Sequence, residues 1–279
     1  MQASQPSGDI VAPRQDGNRP VGPARDTSEA EPRKSIYVWE LPVRITHWVN
    51  VITIGILTVT GIYIANPFIV TNGEATNQYL MGSMRFVHFV AAFVFTVSVL
   101  FRLYWAFVGN KYANWRQFIP AKSARRRGMR RMLAFYLFLR RGPPAVVGHN
   151  PLAGMAYAVV LILFLLQIIT GFALFSLPFD AGAFWPRTFG WIIVVFGVQT
   201  VRLVHDIIMW LILAFTVHHL YTALLIDIEE RSGLVSSIIT GFKSLTRHQL
   251  EAAEAEDTPD PRRRPFWTRF SRKAGQDHA

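Results

Sequence analysis

Cysteine is absent from the 279-residue sequence, and charged residues are scarce. Without a thiol the chain has no disulfides, no thiolate metal sites, no iron–sulfur clusters and no Cys-x-x-Cys-His motif for covalent haem attachment. Any haem would therefore be of the non-covalent b type. Only 17% of the residues are charged and 51% are hydrophobic, and long uncharged runs are typical of integral membrane proteins.

Acidic residues are fewer than basic ones, 18 against 29, which gives a formal net charge of +11. In a soluble protein such an excess would suggest a nucleic-acid partner. Here the basic residues lie outside the apolar runs and are densest between residues 109 and 150. The positive-inside rule explains this distribution, so we expect no nucleic-acid partner and place this loop and the N-terminal tail in the cytoplasm.

Four apolar stretches are long enough to cross the lipid bilayer as helices, at about residues 44–65, 84–108, 151–177 and 201–226. They predict an all-α membrane protein, a four-transmembrane-helix bundle with both termini cytoplasmic. The segments RRMLAFYLFLRR and GWIIVVFGV are too short to span and predict interfacial helices. Residues 36–245 would form the transmembrane domain, and we expect the tails, residues 1–35 and 246–279, to be disordered.

Four histidines occupy matching positions in this bundle. His205 and His219 are fourteen residues apart on the fourth span, so they share a helix face and lie about 21 Å apart along the axis. Because successive spans cross the bilayer in opposite directions, His47 lies at the same cytoplasmic depth as His219. For the same reason His88 lies at the outer depth of His205. The phase of the helix points His218 away from this face.

Two imidazoles from two helices at one depth match the axial ligands of a low-spin haem. Structural zinc needs about four protein ligands, whereas haem brings four nitrogens of its own. We therefore predict two haem b groups, one bound by His47 and His219 and one by His88 and His205. Such an iron has no open position, which favours electron transfer. The alternatives are a histidine relay in a transporter or proton channel, and a membrane anchor without redox work.

Two further residues lie fourteen positions beyond a predicted ligand. Gly61 follows His47 and leaves room for a bulky group, although small residues also permit close helix contact. Arg102 follows His88 and could meet a haem propionate or extend its charged end to the interface. The first and third spans also share a Thr-Gly dipeptide, in LTVTGIYI and QIITGFALF, which is a weak sign of internal repetition.

Several stretches resemble the b-type cytochrome subunit of membrane-bound nickel–iron hydrogenases. They are RITHWVNVITIGILTVTG (44–61), MRFVHFVAAFVF and LYWAFVGNKYA (84–95 and 103–113), RLVHDIIMWLILAFTVHHLY (202–221) and DIEERSGLVSSIITGFK (227–243). The resemblance covers about residues 36–245. Leu203 and Asp206, beside His205, depart from the family's usual pattern, which puts the potential of the outer haem in doubt but not its ligation.

The resemblance implies a working direction in the bacterial cytoplasmic (inner) membrane. A periplasmic hydrogenase, with a nickel–iron large subunit and an iron–sulfur small subunit, would pass electrons to the outer haem. The inner haem would then reduce a membrane quinone, and the chain itself would do no hydrogen chemistry. The candidate neighbours of the quinone are Arg44, Asn50, His149 and Tyr221. The nearest alternative is the same type of cytochrome serving a formate dehydrogenase or a thiosulfate reductase.

Overall fold

The computed structural model describes residues 32–69, 79–110, 112–115, 123–139 and 151–251. Within these ranges the elements are β1 Arg33–Tyr37, α1 Leu41–Ala65, α2 Leu80–Val108, α3 Ser123–Tyr136, α4 Pro151–Phe175, α5 Phe184–Phe196, α6 Val198–Glu230, α7 Leu234–Thr240 and β2 Phe242–Thr246. The helices α1, α2, α4 and α6 are long and apolar enough to cross a membrane. The predicted four-span bundle is therefore confirmed.

The outward faces of these four helices are apolar. Val59 and Val97, for example, are 63% and 68% exposed. Such surfaces are costly in water and natural in the roughly 30 Å hydrocarbon core of a bilayer. Within the bundle α1 packs along α2, α4 packs along α6, and α2 meets α4. The bundle thus consists of two helix pairs.

The two shorter predicted helices are present, but their limits differ from the predicted ones. The helix α3 begins at Ser123, seven residues before the predicted segment RRMLAFYLFLRR begins. It ends at Tyr136, five residues before that segment ends. The helix α5 contains most of the second segment and leads into α6 through Gly197 alone. Gly197 has a φ of +78°, a left-handed conformation that glycine adopts at little cost, so the chain can turn sharply there.

A two-stranded antiparallel sheet, which the sequence did not predict, joins the two ends of the described chain. In it Arg33 pairs with Thr246 and Tyr37 pairs with Phe242. The predicted limits of the disordered tails at residues 35 and 246 were therefore wrong, since β1 begins at Arg33 and a helical turn follows β2 as far as Glu251. The remainder of both predicted tails lies outside the described residues.

The sheet and α7 lie together at one end of the bundle, which we call the sheet end, and α5 lies at the opposite end, the α5 end. At the sheet end the Glu40 carboxylate accepts hydrogen bonds from Trp105 Nε1 and Asn110 N, both at 2.9 Å. Trp39 Nε1 donates to Ser237 Oγ at 2.9 Å. These bonds tie the start of α1 to the end of α2 and to α7.

A buried ion pair fastens β2 to the end of α6. Lys243 Nζ lies 2.9 Å from Glu230 Oε2, and both side chains are less than a tenth exposed. Ser232 Oγ donates a further hydrogen bond to the same carboxylate at 3.1 Å. At the end of α3, burial and then the Glu230 charge raise the pKa of the Tyr136 phenol.

Candidate functional site

Four histidines on α1, α2 and α6 form two pairs at opposite ends of the bundle; three of them are half-buried and His219 is exposed. His88 and His205 lie toward the α5 end, where the His88 ring and Met209, one turn beyond His205 on α6, both face Gly61. His47 and His219 lie toward the sheet end, with ring centroids 6.4 Å apart. The structure therefore brings together the residues that the sequence paired by depth.

The His88 imidazole is held against the neighbouring helix α1. Thr60 Oγ1 lies 2.8 Å from His88 Nδ1. A Cβ placed on Gly61 would lie 3.4 Å from His88 Cε1 and 3.7 Å from Met209 Sδ of α6. The space that the sequence assigned to a bulky group beside Gly61 is thus occupied in part by the His88 ring.

The His205 imidazole has the same surroundings on α4. Thr170 Oγ1 lies 2.9 Å from His205 Nδ1. A Cβ on Gly171 would lie 3.2 Å from His205 Cε1, which is tighter than an ordinary contact. On the other side of the ring, Gln167 Nε2 lies 3.1 Å from His205 Nε2. A Thr-Gly dipeptide therefore cradles each histidine of this pair.

Aromatic side chains pack around the α5 end. The Phe89 and Phe175 rings are 4.9 Å apart and nearly perpendicular. Trp185 of α5 stacks on Phe172 at 5.0 Å and contacts Phe93 at 5.7 Å. Edge-to-face and stacked contacts of this kind fix the rings and exclude water. The helix α5 thus closes the bundle next to the His88–His205 pair.

The sheet-end pair has different neighbours. His219 stacks on Phe215, one turn earlier on α6, with ring centroids 5.8 Å apart and planes within 10°. The His47 ring contacts Trp48 edge-on at 5.5 Å. Its Nδ1 atom is buried without a hydrogen-bond partner among the described residues. This pair is therefore held by ring packing, where the α5-end pair is held by hydroxyl groups.

Two predicted polar neighbours accompany His47 on α1 at intervals of three residues. Arg44 Nε and Asn50 Oδ1, like His47 Nδ1, are buried polar atoms without a partner in the described part of the chain. Arg44 also donates a hydrogen bond from Nη1 to Ile239 O. Buried polar atoms in native proteins are nearly always hydrogen-bonded. Three such atoms lie within two helical turns of α1.

The other predicted site residues are placed as follows. Arg102 is only 7% exposed. Its guanidinium lies 5.1 Å over the Tyr157 ring, and Nη2 donates to Ala113 O at 3.5 Å. Tyr221 is 59% exposed. His149 lies outside the described residues.

Sequence reasoning missed the polar partners of the α5-end histidines. Thr60 and Thr170 were not proposed as site residues, although the repeated Thr-Gly dipeptide that contains them was noticed. Thr60 lies 28 residues before His88 in the sequence, and Thr170 lies 35 residues before His205, so no local pattern links each threonine to its histidine. A search for polar residues at the depth of each histidine on the adjacent helix would have found both threonines.

Comparison with known proteins identifies the family of this chain. A Cupriavidus necator protein named "Probable Ni/Fe-hydrogenase B-type cytochrome subunit" is 40% identical over 216 residues, which are 76% of this chain and 88% of the relative. An Escherichia coli K12 protein named "Probable Ni/Fe-hydrogenase 1 B-type cytochrome subunit" is 38% identical over 216 residues, 75% of this chain and 91% of the relative. The model of the prokaryotic cytochrome b561 family matches residues 38–241. The chain therefore belongs to the prokaryotic cytochrome b561 family, a family of b-type haem proteins.

Proposed function

We propose that this protein is a dihaem b-type cytochrome of the bacterial inner membrane, which carries electrons from a periplasmic nickel–iron hydrogenase to the membrane quinone pool. The observation that carries the proposal is the presence of two histidine pairs at the two ends of one bundle of membrane-spanning helices. The names of the relatives suggest the electron donor, a nickel–iron hydrogenase. Its nickel–iron large subunit and iron–sulfur small subunit are what the sequence resemblance implies.

The separation of the sheet-end imidazoles suits a single metal ion between them. A nitrogen–metal bond of about 2 Å, added to the roughly 1.2 Å from an imidazole centroid to its nitrogen, places the centroids of two opposed ligands about 6.3 Å apart. The His47 and His219 centroids are 6.4 Å apart. Within the described ranges no group of three or more His, Asp or Glu side chains could hold a metal ion, so a site built from protein ligands alone is not favoured there.

The four imidazoles would serve as two axial pairs, His47 with His219 and His88 with His205. A haem, when bound, supplies reversible one-electron transfer. The chain orients the ligand rings, keeps them at two depths and surrounds them with apolar side chains that exclude water. His205 and His219 are about 21 Å apart along α6, which is most of the roughly 30 Å hydrocarbon core. The protein thus links the two membrane faces.

The direction of transfer rests on the charge of the loops. Arg130 and Arg131 lie on α3, in the most basic loop of the chain, which the positive-inside rule places in the cytoplasm. The sheet end would then be cytoplasmic and the α5 end periplasmic. A periplasmic hydrogenase would meet the aromatic surface at the α5 end, and electrons would leave at the sheet end.

A quinone would bind at the sheet end. Beside the ring of His47, the unpartnered Nε of Arg44 can donate to a carbonyl of a quinone head group, and Asn50 Oδ1 can accept from a hydroxyl of the reduced quinol. Arg102 is buried at the same end of α2 and would face a haem propionate. Tyr221 and His149 remain candidate neighbours on the sequence argument alone.

The test is to purify the complex with its hydrogenase and count the haems by pyridine haemochrome. We expect two haem b groups per chain, and one after replacement of any of the four histidines by alanine. The losses should group the histidines as the pairs given above. Hydrogen-dependent reduction of a soluble quinone analogue should fall to background in all four variants. His218→Ala is the matched control, because His218 adjoins His219 but points elsewhere, and it should keep both haems.

A colourless wild-type preparation would overturn the proposal, as would quinone reduction that survives loss of either pair. Metal analysis of the same complex separates the hydrogenase from its nearest alternatives. Nickel would support a hydrogenase, whereas molybdenum would indicate a formate dehydrogenase or a thiosulfate reductase.

A further inference from the structure

Two Thr-Gly dipeptides stand in the same relation to two histidines on the neighbouring helices. Thr60–Gly61 on α1 cradles His88 of α2, and Thr170–Gly171 on α4 cradles His205 of α6. In each case the threonine hydroxyl reaches Nδ1, at 2.8 and 2.9 Å, and the glycine lets the ring approach. The arrangement occurs once in each of the two helix pairs of the bundle.

The hydroxyl protons determine which nitrogen of each ring carries hydrogen. Thr60 Oγ1 donates to Ile56 O at 2.7 Å, and Thr170 Oγ1 donates to Leu166 O at 2.8 Å. A threonine hydroxyl has one proton and two lone pairs. Since the proton is used within its own helix, the hydroxyl can only accept from the histidine. Both imidazoles are therefore protonated on Nδ1, which leaves the lone pair of Nε2 available for a metal.

The side-chain amide of Gln167, in the orientation it has in the structure, agrees with this assignment. Its amide nitrogen lies 3.1 Å from Nε2 of His205. An amide nitrogen can donate a hydrogen bond but cannot accept one. The Nε2 atom of His205 must then be the acceptor, so the ring proton lies on Nδ1 and is donated to Thr170. A metal bound at this nitrogen would take the place of the Gln167 amide.

We propose that Thr60 and Thr170 are positioning residues that fix the tautomer of the two α5-end ligands and lower the redox potential of the haem they bind. This inference rests on the proposed function. A hydrogen bond accepted from the distant nitrogen of a ligating histidine raises the basicity of the nitrogen that binds the metal. A more basic ligand stabilises the ferric state more than the ferrous state, and the potential falls.

The sheet-end pair lacks this arrangement. His47 Nδ1 has no hydrogen-bond partner among the described residues, and His219 is packed against the ring of Phe215. The lowering of the redox potential by threonine hydroxyl groups is therefore confined to the haem of the α5-end pair. It makes the haem nearer the proposed electron donor the one with the lower potential, which favours transfer toward the sheet end.

The experiment is a redox titration of the purified complex, followed by visible and electron paramagnetic resonance spectra, for Thr60→Val and Thr170→Val. The α5-end haem is assigned as the one that His88→Ala removes. We expect its midpoint potential to rise by about 59 mV, which corresponds to a tenfold change in the equilibrium constant for one-electron reduction. The sheet-end haem should keep its potential. Thr60→Ser and Thr170→Ser should restore the wild-type value, because serine keeps the acceptor oxygen.

Thr53→Val is the matched control. Thr53 makes the same two bonds within its own helix, to Val49 O at 2.7 Å and Asn50 O at 3.3 Å, but it does not contact a histidine. It should leave both potentials unchanged.

Unchanged potentials in both valine variants, with two haems present, would overturn the inference. An equal shift in Thr53→Val would also overturn it, because the effect would then belong to helix packing. If a valine variant loses the haem, the serine variant decides: retention with the wild-type potential supports the inference, and loss in both overturns it. The wild-type haem count tests the proposed function separately.

Discussion

The two histidine pairs of this bundle are at matching positions but are held in different ways. At the α5 end each imidazole is hydrogen-bonded to a threonine and rests against a glycine on the adjacent helix. At the sheet end the two rings contact Phe215 and Trp48, and His47 Nδ1 lies beside two other buried polar atoms without partners. Threonine hydroxyl groups hold Nδ1 of both α5-end rings, whereas Nδ1 of His47 has no hydrogen-bond partner among the described residues.

This difference suits two separate tasks. A pair whose Nδ1 atoms are both held by hydrogen bonds has a fixed ring orientation, which suits electron transfer. A pair next to unsatisfied donors and acceptors can receive a polar group that enters and leaves. We therefore expect substitutions at the α5 end to change a redox property, and substitutions at the sheet end to change the use of a substrate.

The largest effect should come from replacing one histidine of either pair and measuring whether hydrogen still reduces the remaining haem. In His47→Ala, hydrogen should still reduce the remaining α5-end haem, while quinone reduction falls to background. In His88→Ala, hydrogen should no longer reduce the remaining sheet-end haem rapidly. The measurement is stopped-flow absorbance of the haem after hydrogen is added to the complex. Rapid reduction of the remaining haem in both variants would mean that the two pairs are not in sequence.

The next largest effect concerns the buried ion pair between Lys243 and Glu230 at the sheet end. Lys243→Met leaves the buried Glu230 carboxylate without its ion-pair partner, which costs about 3–5 kcal/mol. The double variant Lys243→Met/Glu230→Leu should recover most of that loss, because an apolar pair of similar size replaces the two charges. Thermal unfolding followed by haem absorbance measures both. We expect the sheet-end haem to be lost first, and earlier loss of the α5-end haem would contradict the proposed layout.

A smaller effect should distinguish the two glycine cradles. Gly171→Ala places a methyl group 3.2 Å from His205 Cε1, and the resulting overpacking costs about 1–3 kcal/mol. Gly61→Ala should cost less, since its nearest contact is 3.4 Å. Gly55→Ala is the control, because nothing lies within 4 Å of its added methyl group. Haem retention on heating should fall in the order Gly55→Ala, Gly61→Ala, Gly171→Ala, and any other order would argue against the cradle.

The smallest effect is a pH dependence restricted to the sheet end. Burial and the nearby Glu230 carboxylate raise the pKa of Tyr136 above its ordinary value of 10.0. The unfolded chain therefore ionises first, so stability is unaffected below about pH 10 and declines above it. Tyr136→Phe should remove part of this decline in thermal unfolding measured at pH 8 and pH 10.5. An unchanged decline in Tyr136→Phe would show that other groups cause it.

The spans and the histidine pairs could be predicted because each follows from local patterns. An apolar run has to cross the membrane, and a helix fixes the depth of every residue along it. The sheet could not be predicted, because β1 is five residues long and its partner begins at Phe242, on the far side of four spans. The roles of Thr60 and Thr170 were hidden for a related reason, since packing between helices decides which hydroxyl reaches which ring.

The sheet has a consequence for biosynthesis. Arg33 leaves the ribosome long before Thr246, so the five residues of β1 wait without a strand partner until α6 has been inserted. Pairing then joins the two ends of the described chain on one side of the membrane. A nascent chain that stops before Phe242 leaves the backbone groups of β1 without their strand partner. Closure of the sheet therefore depends on the insertion of all four spans.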